Sequence, residues 1–191
     1  MRLFVAIELP ASWREAAAEA QRALIERVPP RMLRPVDPAL MHLTLRFLGE
    51  IEDEALPLLQ QELAALEPVD VLLALGAAGS FGAARATRVA WLAVEGDRDG
   101  LAALAGRVEH AVVAAGAPPE PRPFRPHLTL ARVTRGADGE ARRALAEALA
   151  ALPRPAAAPF HARQIALVRS YLGGGSGRWS GPRYEPLSRY P

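Results

Sequence analysis

The 191-residue sequence predicts two like lobes of mixed strand and helix facing a single cleft. Three observations carry that reading. The tetrapeptide His-Leu-Thr-Leu occurs twice, as His42-Leu43-Thr44-Leu45 and His127-Leu128-Thr129-Leu130, 85 residues apart (127 − 42). Each copy follows a proline-rich approach and precedes a helical pattern. Strand-like and helix-like apolar patterns also succeed one another along the whole chain. A unit repeated in this way is expected to build lobes related by an approximate two-fold axis. Such an axis would bring both histidine strands to one cleft, in a single two-lobed domain covering residues 1–191.

Arg2 to Leu9 is apolar and β-branched and reads as a strand closed by Pro10. Ser12-x-x-Glu15 has the spacing of a capping box, and a helix is expected from there to about Val28. Pro29, Pro30, Pro35 and Pro38 predict an irregular loop. Met41 to Leu48 is the strand of the first tetrapeptide, ended by Gly49. Glu52 to Leu66 reads as a helix with Pro57 in its first turn. Val69 to Leu75 and Arg88 to Val94 read as strands, and Gly100 to Ala115 as a helix from the spacing of Leu101, Leu104, Val108 and Val112. After Pro118 to Pro126 come the strand His127 to Val133, a helix from about Gly139 to Leu152, and strands at Gln164 to Leu172 and Tyr184 to Tyr190. Gly173-Gly174-Gly175-Ser176-Gly177 between the last two reads as a mobile loop. It lacks the Lys-Ser/Thr ending of a nucleotide-binding P-loop.

Composition closes off several classes of chemistry. There is no cysteine, which excludes disulfides, thiol nucleophiles and cysteine-ligated zinc. No apolar run approaches the ~18 residues of a membrane span. The first ten residues carry Glu8 within their apolar stretch, unlike a signal peptide, so a cytoplasmic protein is expected. All 23 basic side chains are arginine, a bias that GC-rich coding produces. Residues 1–117 hold 11 Arg against 16 acids (−5), and residues 118–191 hold 12 Arg against 5 acids (+7). A polyanion would be drawn to the C-terminal part.

Four His and four Thr make roughly 0.1 His-x-Thr triplets expected by chance, so two inside identical tetrapeptides are not coincidence. Strand alternation puts His42 with Thr44, and His127 with Thr129, on one face, while the leucines anchor the other. Two imidazoles on one cleft suit phosphodiester chemistry. One, neutral, takes a proton from water, and the other, protonated, gives one to the leaving oxygen. Thr44 and Thr129 can donate to non-bridging phosphate oxygens, and Arg132 can add a bidentate cationic contact. No metal site is expected, because no Asp or Glu flanks either motif at ligand spacing. Arg46 either lines the cleft with His42 or is a solvated strand arginine. His110 and His161 lie outside the repeat and read as surface residues. Phe47, Phe124, Tyr171 and Trp179 are either base-stacking platforms or packing residues.

The segments Arg2-Leu3-Phe4-Val5-Ala6-Ile7, His42 to Gly49, Phe124 to Arg132, Leu167 to Ser170 and Tyr184 to Leu187 resemble the RNA 2′,3′-cyclic phosphodiesterases, first called 2′-5′ RNA ligases, of the two-histidine phosphoesterase superfamily. The resemblance implies an α+β fold with antiparallel sheets flanked by helices and the active site between the lobes. It implies hydrolysis of an RNA-terminal 2′,3′-cyclic phosphate to a 2′-phosphate without cofactor or metal, with a weak reverse 2′-5′ joining of RNA ends. It further implies His42 as acid, His127 as base and Arg132 as a functional arginine. The implied partner is RNA with such an end, tRNA fragments among them, and the implied state is a monomer away from membranes. The rival readings are a relative acting on small cyclic nucleotides or 2′-5′ linked oligonucleotides, and an RNA-binding module that has lost catalysis.

Overall fold

The structure is a computed structural model that describes residues 1–82, 86–171 and 182–191. Nine strands and four helices follow in the order β1 (Arg2–Glu8), α1 (Ala11–Ile25), β2 (Leu33–Pro35), β3 (His42–Glu50), α2 (Leu56–Ala64), β4 (Val71–Phe81), β5 (Val89–Gly96), α3 (Arg98–Ala114), β6 (His127–Val133), α4 (Gly139–Ala150), β7 (Phe160–Ala162), β8 (Ile165–Tyr171) and β9 (Arg183–Tyr190) among the described residues. They form two antiparallel sheets, β3-β1-β8-β9 and β2-β6-β5-β4-β7. The α+β class and the antiparallel sheets are as expected, with one histidine strand in each sheet.

The lobes are not consecutive halves of the chain. The His42 sheet combines the first strands with the last two, β8 and β9, and the His127 sheet uses the middle of the chain plus β2. The helices cross over as well. α1 follows β1 yet packs on β6, and α3 follows β5 yet packs on β3. One continuous apolar core therefore runs under both sheets, from Leu3, Val5 and Ile7 of β1 to Leu128 and Leu130 of β6. β1 is buried on both faces. Leu3, Val5 and Ile7 enter the main core, while Phe4 and Ala6 join Ala166, Val168 and Tyr184 in a small cluster on the opposite face. A central strand covered on both sides reads as a continuous apolar run, as this one does.

Local differences from expectation have identifiable causes. Ser12 is not a cap: the helix starts at Ala11, because Trp13 and Arg14 donate their backbone N–H groups to the Pro10 carbonyl. Pro10 has no N–H to leave unsatisfied, which suits it to a helix start. The proline loop hides β2, an edge strand where Pro35 costs no ladder bond. β7 is the other short edge strand, outside the expected elements. The expected helix from Glu52 begins as a single 3-10 turn, Asp53–Ala55, before α2. The loop Gly173 to Gly177 and Trp179 lie outside the described residues.

Candidate active site

Each histidine opens its strand, and each is fixed the same way. His42 Nδ1 lies 2.8 Å from the carbonyl of Leu40, and His127 Nδ1 lies 2.7 Å from the carbonyl of Arg125. A carbonyl only accepts, so Nδ1 carries the proton in both rings and Nε2 is left as the working nitrogen. The likeness of the motifs thus extends upstream to the residue that sets the tautomer. At the first copy that residue belongs to the 3-10 turn Pro38–Leu40, capped by Asp37, whose side chain accepts from Ala39 N–H.

Each strand then carries a bulge one residue after its threonine. Along β1, Ala6 pairs with Thr44 and Val5 with Arg46, so Leu45 is the extra residue. Along β5, Trp91 pairs with Thr129 and Ala90 with Ala131, so Leu130 is the extra residue. An extra residue inverts the alternation beyond it. Arg132, which strict alternation puts on the far face from His127, is brought onto the face of His127 and Thr129. Phe47, at the matching place in the first strand, comes onto the face of His42 and Thr44. The bulge on β6 is held from behind by Gln21 of α1, a buried side chain whose Nε2 donates to Leu130 O and Val36 O, both at 2.7 Å.

The same inversion removes Arg46 from the cleft, so neither reading of this residue survives. It shares the face of Val5, is 8% exposed, and donates to Glu109 of α3 and to the carbonyls of Phe47 and Pro118. Glu120 lies 3.7 Å away. Arg46 is a buried tie between β3, α3 and the segment leading to the second motif.

Aromatic rings frame both imidazoles. His42 stacks on Phe4 at 4.6 Å between centroids and meets Tyr184 edge-on at 5.2 Å. His127 meets Phe81 edge-on at 4.7 Å, with Trp91 at 6.5 Å. Trp91 lies over Gly79, where a Cβ would stand 2.3 Å from the indole; only glycine fits beneath it. None of Phe4, Tyr184, Phe81 and Trp91 is an expected site residue, because their placement follows from cross-strand register rather than from any motif.

Burial lowers the pKa of both histidines below 6.5. For His42 the hydrogen bond to Leu40 opposes this, and the His127 charge adds to the depression; for His127 the bond to Arg125 opposes it and the Arg132 charge adds to it. Arg132 also acts on Tyr184, whose phenol is raised by burial, and Tyr184 touches His42. Strands β3 and β6 pack against one another where the two sheets meet. His42, Thr44, His127, Thr129 and Arg132 therefore share one site. Glu8, the cross-strand partner of His42, is an acid that motif spacing does not reveal; it is paired with Arg189 at 2.6 and 3.0 Å.

The remaining candidates lie elsewhere. His110 is exposed on α3. His161 is exposed and bonded to Asp70 at the β7 edge. Phe124 packs against the main core, and Tyr171 donates to Glu185 beneath the Arg169 and Arg183 guanidinium groups. Phe47, 49% exposed and 5.9 Å from Phe4, is the one candidate platform left on the site face among the described residues. Among the described residues no three His, Asp or Glu side chains are grouped to hold a metal ion, and no helix is long and apolar enough to cross a membrane.

Known proteins resemble this chain in sequence and in fold. The chain is 35% identical over 131 residues to the RNA 2′,3′-cyclic phosphodiesterase of Escherichia coli K12, covering 69% of this chain and 71% of that protein. It is 40% identical over 145 residues to the enzyme of the same name from Thermus thermophilus, covering 69% and 68%. A solved Thermus thermophilus structure superposes with a TM-score of 0.77 at 31% identity, over 99% of this chain and 96% of the other. The E. coli LigT structure complexed with 3′-AMP superposes with a TM-score of 0.75 at 30% identity, over 98% and 95%. The model of the 2′-5′ RNA ligase superfamily matches residues 7–174, which include both histidine strands, and the chain belongs to that superfamily.

Proposed function

We propose that this chain is an RNA 2′,3′-cyclic phosphodiesterase that opens the terminal cyclic phosphate to a 2′-phosphate without a metal or cofactor. Its relatives of that name support the activity, and the two Nδ1–H to carbonyl hydrogen bonds, which leave both Nε2 atoms for chemistry, carry the mechanism. Water attacks phosphorus as His127 Nε2 removes its proton. The bond from phosphorus to the 3′ oxygen breaks, and His42, protonated at Nε2, delivers a proton to that oxygen. Thr44, Thr129 and Arg132 donate to the non-bridging oxygens, where negative charge builds in the transition state. With the 5′ hydroxyl of a second RNA in place of water, the same displacement joins the cyclic phosphate to that hydroxyl: the P–O5′ bond forms, the P–O3′ bond breaks, and the product is a 2′-5′ linkage with a free 3′ hydroxyl.

In this reading the protein is a cytoplasmic monomer, one two-lobed domain built on a duplicated unit, and its substrates are RNA ends such as those of cleaved tRNA. The test is incubation of a short RNA bearing a 2′,3′-cyclic phosphate with the protein in EDTA, followed by mapping of the product terminus. A 2′-phosphate in EDTA is expected. A 3′-phosphate would exchange the roles of the two histidines, and activity lost to EDTA and restored by a divalent ion would overturn the mechanism.

A further inference from the structure

Where β6 ends, a cavity of about 540 Å³ opens beside Arg132 and is lined by Arg88, Arg132, Arg135 and Arg142, with Thr134 between them. No Asp or Glu among the described residues lines it. Arg142 is committed to the fold, donating to the carbonyls of Thr87 and Ala137. Arg88, Arg132 and Arg135 form no ion pair with any described carboxylate, whereas Arg122, Arg154, Arg163, Arg183 and Arg189 each do. Cations gathered without a counter-charge repel one another, and a bound anion relieves that cost.

The cavity adjoins the candidate site at Arg132. Arg132 faces the same way as His127 and Thr129, whereas Arg88 is the ladder partner of Val133, whose N–H donates to Arg88 O at 2.9 Å; Arg88 therefore starts from the other face and meets Arg132 at the strand end, where both line the cavity. Arg135 follows Arg132 by three residues, no more than about 10 Å along the chain. A terminal 2′,3′-cyclic phosphate has a neighbour in one direction only, the phosphodiester on the 5′ side of its own nucleoside. We infer that Arg88 and Arg135 form a second phosphate subsite that holds this 5′-side phosphodiester, so that the protein prefers the end of an RNA chain to a free cyclic nucleotide. The inference rests on the proposed activity for the placement of the first phosphate.

Two substrates separate the subsites: a nucleoside 2′,3′-cyclic phosphate, with one phosphate, and a dinucleotide ending in the same group, with two. Arg88→Gln and Arg135→Gln should each raise KM for the dinucleotide about 5–20-fold while leaving kcat, and KM for the nucleoside, unchanged. Arg143→Gln, an exposed α4 arginine outside the cavity, is the control. Equal losses on both substrates, or no loss on either, would overturn the subsite. If the unaltered protein turns over neither substrate, the proposed activity fails, and binding decides the subsite alone. For a fluorescent six-nucleotide RNA with ordinary hydroxyl ends, the double variant should bind more weakly. Its salt dependence of log K should flatten by about 0.7 for each phosphate that the protein no longer neutralises. An unchanged slope and affinity would overturn the inference in that case.

Discussion

Both motif imidazoles are set in environments that favour the neutral ring. Burial is the main cause at each, and each also feels a nearby positive charge, His127 at His42 and Arg132 at His127. A base needs that neutral form, but an acid does not. In the proposed mechanism His42 must gain its proton against burial, and the anionic substrate phosphate is the group that favours it. The sign of the pH dependence follows. In free enzyme both titrations lie below 6.5, so the bell-shaped profile of kcat/KM should be centred on the acid side of that value. The profile of kcat, which reports the loaded enzyme, should be displaced to higher pH. Stopped assays across pH ~4–9 check this, and coincident profiles would show that the phosphate does not reset the pair. His42→Ala and His127→Ala should each cost ~10²–10⁴-fold in kcat. In the proposed mechanism the two act in one step, so the double variant should be far less impaired than the product of the singles. Thr44→Val or Thr129→Val deletes one donor to the phosphate and should cost ~10–10³-fold, with KM for the substrate little changed. His110→Ala and His161→Ala should leave the rate as it was.

At the scale of the element, the bulges decide which side chains reach the cleft. Strict alternation of β3 puts Arg46 on the histidine face, and strict alternation of β6 takes Arg132 off it; the extra residues Leu45 and Leu130 reverse both. This is why the sequence delivers the histidines and threonines but misplaces Arg46. Positions up to the bulge obey period two, and a bulge without glycine or proline has no local sign. The aromatic rings around the histidines are illegible in the sequence for a related reason: Phe81 and Trp91 arrive by register between distant strands. Two substitutions separate these roles. Arg46→Ala leaves Glu109 with its charge unpaired and should lower stability to urea by about 2–3 kcal/mol, below the cost of a fully enclosed pair because Glu109 is 29% exposed. The folded fraction should retain its kcat. Gly79→Ala works the other way. Its new methyl group must push Trp91 toward His127, so kcat should fall about 10-fold or more while the global stability changes little. A Gly79→Ala enzyme with unaltered kcat would show that His127 is positioned without help from Trp91.

On the scale of the whole molecule, sequence repeat and structural lobe do not coincide. The repeat divides the chain between its two motifs, and on that pattern residues 1–117 would form one self-contained lobe. The strands are shared out otherwise. β1 lies between β3 and β8, and β8 pairs with β9, so half of the His42 sheet comes from the last 30 or so residues of the chain. Conversely, α1 and β2 from the first 35 residues cover β6. A fragment of residues 1–117 would lack β6, β8 and β9. Phe4 and Ala6 would lose Ala166, Val168 and Tyr184, and Gln21 would lose the Leu130 carbonyl. Leaving that much apolar surface and a buried amide without partners exceeds the ~5–15 kcal/mol margin of a domain of this size. The charge pattern is redistributed in the same way: the basic C-terminal part supplies strands to both sheets, so its excess does not mark one lobe. The full chain should therefore unfold in a single transition by both circular dichroism and tryptophan fluorescence, with Trp13 reporting from the core and Trp91 from the cleft. The fragments 1–117 and 118–191, made separately, should each be unfolded and inactive, and mixing them should restore structure and cyclic phosphodiesterase activity together. A folded 1–117 fragment would mean that the repeat, and not the shared sheets, defines the folding unit.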